Sequence, residues 1–419
     1  MSSVSQRPVS KRSAFRIFYI LAIGSGVMRT FSVAFDVVAL NTVFSNPIAF
    51  GFVSQWVSIL VTFFLVLVLS IPRKVDEKKR SLGFSVDPDF GKISLLPRTP
   101  MFYILLAGIF AGISTYSYYL LVGSSDASTM LPYGQLVIIY LLLGDLFAEK
   151  DTPTVIEIQC IISIMLGVLL VGVTPGGFDI PTLLIVLVPM NLSSGLVTFY
   201  QRKTKRYEIS PGLRVDSINM RLWTLLFLNI TYSIFAIPTI PLEAWGLMVD
   251  TFGSAFWFMV GSSLTTFFAL VMYVRALGRG TMAVVNSLSS VSVILGIPLT
   301  LIGNLFIPGA FGTIDADAFL WTIKIFGVIL VMIGVIALEA SDVRAIVLVR
   351  VKPQTGDILS ELYDIKGIQR AAAIAGTYDY LLTIKSRSLA KTRTGILKKV
   401  QAIPEVYDVE TLVIMKEHR

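Results

Sequence analysis

The feature that most constrains this chain is a series of apolar runs, each as long as a helix that crosses a lipid bilayer. Such a helix needs roughly 20 apolar residues, because an unpaired backbone group in hydrocarbon costs several kcal/mol. Ten runs occur, at about residues 15–39, 47–71, 101–121, 126–147, 155–174, 181–200, 218–238, 252–274, 281–305 and 318–339. The sequence therefore predicts an all-α polytopic membrane bundle of ten transmembrane helices in a lipid bilayer.

Composition supports this prediction and excludes several kinds of chemistry. Of the 419 residues, 54% are hydrophobic and only 15% are charged, against roughly 25% charged in an average soluble protein. The chain has one cysteine, Cys160, and one histidine, His418, so a disulfide framework, a zinc or haem site and a Ser-His-Asp triad are not expected. A Walker-type phosphate loop is missing from the sequence. The sequence predicts no enzyme, no cofactor and no metal.

Basic residues indicate how the bundle is oriented. They concentrate at the N-terminus, in alternate loops and at the helix ends beside these loops, where they include Arg221, Arg275 and Arg279. The other loops carry acidic residues instead, such as Asp179 and Asp250. By the positive-inside rule, both termini are predicted to be cytoplasmic, in the plasma membrane of a prokaryote. This sidedness accounts for most of the net charge of +8, so nucleic acid is not predicted as a partner.

The residues from 343 to 419 differ in pattern from the bundle, which we place at residues 1–342. Alternating strands are predicted at 345–351, 368–375, 378–385 and 406–415, and amphipathic helices at 355–363 and 388–402. The order is βαββαβ, which predicts a small C-terminal α+β ferredoxin-like domain. Two helices cover one face of such a sheet, so the other face invites a partner, most simply a second copy in a homodimer.

The membrane part contains a weak internal repeat. Tyr118 and Gly123 recur 155 residues later as Tyr273 and Gly278, and Leu-Gly-Val at 166–168 corresponds to Ile-Gly-Val at 333–335. We therefore predict two five-helix repeats, at about residues 15–174 and 181–339. Because five is an odd number, the repeats have inverted topology, which supports alternating access to a site near the midplane.

Residues 15–340 resemble the EamA-type drug/metabolite transporter superfamily. The resemblance rests on the Tyr-x-x-x-x-Gly ends at 118–123 and 273–278, on short connections into helices of small residues at 124–135 and 280–292, and on the break at 146–150. Leu301-Ile302-Gly303-Asn304 stands where that family usually has Gly-Glu. The resemblance implies a ten-helix carrier of small metabolites, often amino acids or phosphorylated and nucleotide-linked solutes. It also implies that the fourth and ninth helices surround the central cavity.

The C-terminal segment resembles the effector-binding domain of the Lrp/AsnC regulators over almost its whole length. The matching segments are residues 345–349, 365–368, 375–379 and 403–406, in the order and spacing of that family. The resemblance implies dimerisation through the sheet. It also implies amino-acid binding near a Gly-x-Tyr-Asp turn, here Gly376, Tyr378 and Asp379. A transmembrane bundle replaces the DNA-binding domain, so a signal would act on transport.

Charged residues inside a membrane are costly and are functional candidates by default. Arg29 lies midway along the first run, and Ser25, Arg29, Ser32 and Asp36 share one helix face. We interpret Arg29 as a ligand for an anionic group, with Asp36 pairing with it or titrating. The alternative is a structural bridge between Arg29 and a neighbouring helix.

Other polar residues within the runs are further candidates for the substrate site. Lys324 faces either the cavity or the membrane interface, which its stem can reach. Small polar groups serve equally often as contacts between helices. Pro132 and Pro298 interrupt runs that the repeat makes equivalent, as either site markers or tolerated kinks. The remaining substrate-site candidates are Tyr116, Tyr119, Tyr133, Gln135, Asn191, Ser263, Asn286 and Ser290.

Together these patterns predict a secondary or facilitative transporter of an archaeal plasma membrane that exports amino acids or related compounds. Its cytoplasmic tail would sense amino acids. A carrier of organic phosphates or nucleotide-linked anions is the first alternative, favoured by Arg29 and Lys324. A receptor or scaffold that binds without transporting is the second.

Overall fold

The computed structural model describes residues 11–75, 78–122, 127–148, 155–171, 173, 180–210, 213–312, 317–340, 343–353, 356–365, 368–386 and 396–413. This part of the chain is mostly helical and divides into two compact units. The larger unit contains Phe15–Gly144 and Ile161–Val335, and the smaller unit contains the C-terminal sheet.

The helices of the membrane part follow the predicted runs. They are α1 (Lys11–Thr42), α2 (Pro47–Leu69), α3 (Arg98–Val122), α4 (Ala127–Gln135), α5 (Ile138–Leu143), α6 (Val155–Val171), α7 (Ile180–Ile185), α8 (Ser193–Arg206), α9 (Ser217–Ala236), α10 (Leu242–Leu277), α11 (Met282–Ser289), α12 (Val291–Phe306) and α13 (Ala318–Ala340). Two short hairpins join them, formed by β1 (Pro72–Val75) with β2 (Lys78–Ser81) and by β3 (Glu208–Ser210) with β4 (Leu213–Arg214).

Within the described residues, eight helical segments are long and apolar enough to cross a membrane. Two shorter apolar segments, Met130–Leu143 and Ile158–Val171, fall on the fourth and fifth predicted runs. The chain is therefore consistent with a multi-pass membrane protein. The count of ten spans and the inverted repeat stay predictions.

The helix of the eighth run is longer than predicted. The prediction began at residue 252, whereas α10 begins at Leu242 and extends over 36 residues. Pro241 stands at the N-cap position, and Glu243 and Asp250 lie within the added turns. Charged residues lower the apolar score of these turns, but they are tolerated where a helix projects beyond the hydrocarbon region.

Three of the membrane segments are interrupted. Two residues in a turn separate α4 from α5 after Gln135, and Ser290 separates α11 from α12. A π-helical segment, Val186–Leu192, joins α7 to α8 and contains Pro189. Pro132 and Pro298 lie inside α4 and α12, so these prolines sit near the interruptions without forming them.

Small residues let the helices of the larger unit approach closely. In α3, Gly108 and Gly112 form a Gly-x-x-x-Gly pair that faces α9. A Cβ atom built on Gly108 would lie 2.3 Å from Cβ of Phe227. Likewise, a Cβ on Gly167 of α6 would lie 2.5 Å from the carbonyl oxygen of Gly327 on α13. These contacts fix the distance between α3 and α9 and the distance between α6 and α13.

The C-terminal domain is a four-stranded antiparallel sheet. Its strands are β5 (Val343–Val351), β6 (Ile368–Ala373), β7 (Tyr380–Ser386) and β8 (Val406–Val413), in the spatial order β6-β7-β5-β8. Its described helices are α14 (Leu359–Asp364) and α15 (Lys398–Gln401). Most of the predicted helix at 388–402 lies outside the described residues. The small C-terminal sheet domain is thus confirmed.

Alternation along the strands determines which face of this sheet is covered. Val347 and Val349 are fully buried against Leu362, Leu382 and the other residues of the domain core. Between them, Ile346 and Leu348 point to the opposite face and are half-buried. Apolar residues therefore line both faces of β5.

Candidate functional site

A cavity of about 260 Å³ lies inside the larger unit. Its lining contains three charged side chains, Arg29, Asp36 and Arg221, among many hydroxyl and amide groups. The other lining residues are Ser25, Ser32, Val33, Gln55, Ala111, Ser114, Thr115, Tyr118, Tyr119, Gly134, Val137, Met190, Ser194, Val197, Thr198, Gln201, Thr224, Leu228, Thr266, Ala269, Leu270, Tyr273, Asn286 and Ser289. Charged and polar groups thus reach a cavity whose wall is otherwise mostly apolar.

The whole polar face predicted for α1 lies on the cavity. Ser25, Arg29, Ser32 and Asp36 all belong to its lining. The face is regular because residues at i, i+4, i+7 and i+11 lie on one side of an α-helix. One helix therefore supplies a positive and a negative group to the same space.

Arg29 carries its charge into the cavity. Its side chain is exposed and lines this cavity, which is partly open. Across the described part of the chain, no carboxylate pairs with it, and its electrostatic neighbours are Tyr118 and Tyr273. A Cβ atom on Gly134 would lie 2.9 Å from Nη2 of Arg29, so the glycine leaves room for the guanidinium group.

Among the described residues, Asp36 is held by hydroxyl groups and not by a cation. Ser262 Oγ donates to its Oδ1 at 2.8 Å, and the Tyr118 hydroxyl donates to its Oδ2 at 3.3 Å. The Tyr119 hydroxyl is a further hydrogen-bond partner. Asp36 lies seven residues after Arg29, about 10 Å along the axis. The proposed ion pair between Arg29 and Asp36 is absent from the described structure, so each charge is available separately.

Of the other predicted residues, Tyr119 and Asn286 line the cavity and the rest do not. Tyr116 faces the end of α9, where its ring contacts Phe235 and its hydroxyl donates to Thr239 Oγ1 at 3.3 Å. Ser263 donates to the carbonyl of Met259 in its own helix. Lys324 is half-buried on α13 and is not among the lining residues.

Gln135, Asn286 and Ser290 connect two of the interrupted helices to each other. Asn286 Nδ2 and Ser290 Oγ donate to Gln135 Oε1 at 3.1 and 3.2 Å. Gln135 Nε2 contacts Ser292 Oγ at 3.1 Å. All four side chains are buried. This cluster joins the end of α4 to the interruption between α11 and α12, so it fixes the broken helices against each other.

Asn191 ties the π-helical segment to α4. Its Nδ2 donates to the carbonyl oxygens of Tyr133 and Val186 at 2.8 and 2.7 Å. Its Oδ1 is buried without a hydrogen-bond partner in the described structure. Tyr133 is itself buried next to the Gly134 that accommodates Arg29. Both residues therefore support the wall of the cavity.

Several lining residues, chiefly Arg221, Tyr118 and Gln201, are not identified as site residues by the sequence. Arg221 was grouped with the basic residues that indicate topology, because it lies only one turn after the start of α9. A helical pattern was nevertheless present, since Arg221, Thr224 and Leu228 follow each other at i, i+3 and i+7 and all line the cavity.

A second polar cluster lies at the end of the bundle where α8 ends and α9 begins. Lys205 Nζ donates to Asp87 Oδ2 at 3.1 Å and to Asp89 Oδ2 at 2.9 Å. The backbone N–H of Ser217 donates to Asp87 Oδ2 at 2.7 Å. Burial by itself would raise the pKa of Asp87, but Lys205 and this N–H outweigh it and hold the pKa below its ordinary value. Asp87 is therefore a buried carboxylate that stays ionised.

Asp216 belongs to the same cluster and caps α9. Its Oδ1 accepts from the N–H of Asn219 at 2.7 Å. Burial raises the pKa of Asp216 to about 6 despite this bond, and the charge of Asp87 adds to the rise. The connection that carries Asp87 and Asp89 is thereby anchored to two helices that line the cavity.

In the C-terminal domain, the predicted ligand-binding residues occupy the turn between β6 and β7. Gly376 is exposed with φ of +153°, which favours glycine. Asp379 Oδ2 accepts from the N–H of Val351 at 2.8 Å. The Tyr378 hydroxyl donates to Glu410, and this hydrogen bond raises the pKa of Tyr378. Asp379 thus shapes the turn, while Gly376 and Tyr378 are accessible.

Comparisons with known proteins agree with this division of the chain. A model of the Lrp/AsnC ligand binding domain matches residues 344–419. A solved structure described only as the crystal structure of a protein is similar to this chain at a TM-score of 0.54 and 13% identity. The similarity covers 77% of this chain and 96% of the other. It extends to the fold alone. A search among curated proteins gives no significant match.

Proposed function

We propose that this chain is a secondary or facilitative transporter that exports small metabolites, most simply amino acids or related compounds. The observation that carries the proposal is the polar cavity inside a bundle of membrane-length helices, with an arginine and an aspartate on one helix face that do not pair with each other. A purely structural arginine in this environment would have a partner, because an unpaired charge in a membrane is costly. A substrate supplies that partner.

The interrupted helices support alternating access as the mechanism. Transporters commonly bind substrate where discontinuous helices of two inverted repeats meet near the midplane. Here α4 and α11–α12 are interrupted next to the cavity and joined by Gln135, Asn286 and Ser290. Two five-helix repeats would rock around this junction. Both termini would be cytoplasmic in the plasma membrane of a prokaryote.

The C-terminal domain would serve as a cytoplasmic sensor and dimerisation module. The similarity to the Lrp/AsnC ligand binding domain supports an effector site at Gly376, Tyr378 and Asp379. If the effector is the transported amino acid, export is switched on by its own substrate. Asp36, the one acid in the lining, is the residue that we assign to proton coupling.

A carrier of organic phosphates is the second candidate. Arg29, without a carboxylate partner in the described residues, favours it, because guanidinium groups bind phosphate as well as carboxylate. The volume of about 260 Å³ is below the roughly 300–1,000 Å³ of pockets for drug-sized ligands. The cavity therefore favours small phosphorylated metabolites over nucleotide-linked ones.

Counterflow into vesicles that contain the purified full-length protein tests the proposal. Vesicles preloaded with an amino acid or with glycerol 3-phosphate should accumulate the same labelled compound, and Arg29→Gln should abolish this uptake. Arg98→Gln is the matched control, because Arg98 is exposed at the start of α3. Binding without any uptake would contradict transport and identify a receptor or scaffold.

A further inference from the structure

Arg221 is a buried charge that, like Arg29, pairs with no carboxylate among the described residues. It lies one turn into α9, its side chain is 6% exposed, and it lines the same cavity as Arg29. Its Nε has no hydrogen-bond partner, and no carboxylate or tyrosine among the described residues interacts with its charge. Since burying an unpaired guanidinium group destabilises the bundle, this arginine requires an explanation beyond packing.

Two further polar side chains, Thr224 and Gln201, line the same cavity as Arg221. Thr224 lies at i+3 on the same helix, and its buried hydroxyl has no partner in the described structure. Gln201, at the end of α8, lines the cavity as well and is 6% exposed. A guanidinium, an amide and a hydroxyl that converge on a cavity from two helices are suited to an anion.

The cavity therefore has a defined order of charges along the helices. Asp36 lies near one end of α1, and Arg29 follows about 10 Å along the axis. Arg221 lies near the opposite end of the cavity, where α9 begins and α8 ends. Two positive groups and one negative group leave a net positive charge. A neutral amino acid, with one carboxylate, can satisfy only one of the two arginines.

We propose that Arg221, with Gln201 and Thr224, forms a second anion subsite of the cavity, so that the substrate carries two acidic groups. The substrate class is a small organic dianion, either a dicarboxylate such as an acidic amino acid or a phosphate ester. One acidic group binds Arg29 and the other binds Arg221. This inference rests on the proposed transport function and specifies the substrate for it.

Matched pairs of compounds test the subsite in counterflow with the full-length protein. L-Glutamate and L-glutamine have nearly the same size but differ by one carboxylate, and glycerol 3-phosphate and glycerol differ by the phosphate. The wild type should exchange at least one dianion in preference to its neutral counterpart. Which dianion is preferred distinguishes the carboxylate class from the phosphate class. Equal exchange of both members of each pair would overturn the inference.

Arg221→Gln should remove this preference. We expect its affinity for the dianion to fall by about 10- to 100-fold, which corresponds to the loss of one charge-assisted interaction. The affinity for the neutral counterpart should stay unchanged, as should both affinities in the Arg98→Gln control. An Arg221→Gln variant that still prefers the dianion would overturn the subsite.

The stability of the ligand-free protein separates a binding role from a structural one. A structural arginine stabilises the fold, so its loss lowers the melting temperature. An arginine held for a ligand is unpaired in the empty protein, so Arg221→Gln should raise the melting temperature. If the variant does not purify as a single species, Arg221→Lys takes its place, with reduced affinity for the dianion expected. Unchanged affinity there contradicts the inference.

Failure of transport and failure of this inference give different results. If no compound is exchanged by the wild type, the proposed function is wrong. If the wild type exchanges L-glutamine as readily as L-glutamate and glycerol as readily as glycerol 3-phosphate, the protein is a transporter and the second subsite is wrong.

Discussion

Lys205 shows how a single charge is retained inside the bundle. Its ammonium group donates to Asp87 and Asp89 at 3.1 and 2.9 Å, and the side chains of Lys205 and Asp87 are only 7% and 2% exposed. Removing one partner of a buried ion pair costs about 3–5 kcal/mol, because the other charge stays buried and unpaired. We expect Lys205→Met to lower the free energy of unfolding by this order, as measured by thermal or denaturant unfolding in detergent.

Lys92→Met is the control for this prediction, because Lys92 is exposed in the connection that also carries Asp87. It should leave the unfolding transition unchanged. Adding Asp87→Asn to Lys205→Met removes the stranded carboxylate and should recover part of the loss. If the double variant is no more stable than Lys205→Met, the loss does not come from an unpaired charge.

Asp216 should make the stability of the folded protein fall as the pH rises. The pKa of Asp216 is about 6 in the folded protein, above the roughly 3.9 of an unfolded chain. The folded state therefore binds more protons between these values, and the stabilising contribution of protonated Asp216 is lost as the pH rises through about 6. Asp216→Asn retains a capping oxygen for α9. Between pH 4 and pH 7, the free energy of unfolding of this variant should rise by about 2–3 kcal/mol relative to that of the wild type.

Melting temperatures of both proteins across this pH range measure the difference. A gain for Asp216→Asn that is the same at pH 4 and at pH 7 would show that the carboxylate does not titrate between folded and unfolded states as expected.

At the scale of the elements, glycine contacts set the distance between α3 and α9. A Cβ on Gly108 would lie 2.3 Å from Cβ of Phe227, so Gly108→Ala forces the helices apart and should destabilise the protein by about 1–3 kcal/mol. Gly246 of α10 has open space around its Cβ position. Gly246→Ala should stabilise its helix by up to about 1 kcal/mol. Opposite shifts in melting temperature are expected, and equal shifts would mean that packing does not distinguish these sites.

The elements were largely predictable from the sequence, since each has a local cause. Long apolar runs specify membrane helices, and a short valine-rich apolar run such as residues 345–349 specifies a strand. The site was predictable only where one helix determines it, as for Arg29 and Asp36. Whether Gln135 faces the cavity or a neighbouring helix depends on packing between distant segments, which is not encoded in a local pattern.

The role of Arg221 could not be predicted from a local pattern either. Near a helix start, a basic residue that indicates topology and one that binds a ligand look identical in the sequence. Only the absence of a neighbouring carboxylate in the described structure separates them. Arg275, by contrast, donates to the carbonyl of Val86 and so has a structural contact.

At the scale of the whole molecule, the C-terminal sheet offers a surface for the proposed dimer. Ile346 is paired with Leu412 across β5 and β8, and Leu348 is paired with Leu381 across β5 and β7. These residues share the face opposite to the core, and Leu412 is 46% exposed. An apolar sheet face of this kind favours association with a second copy.

Deleting residues 343–419 should therefore separate regulation from transport. We expect the truncated protein to keep the cavity and its uptake of substrate, to lose any change of rate caused by cytoplasmic amino acids, and to become monomeric. Leu348→Glu in the full-length chain should abolish the dimer but keep the response of the transport rate to amino acids. Gly376→Val should abolish this response but keep the dimer, because the φ of +153° at Gly376 disfavours a side chain. Counterflow and light scattering on these proteins measure rate and mass. A truncated transporter that still responds to amino acids and remains dimeric would show that sensing and association reside in the membrane bundle.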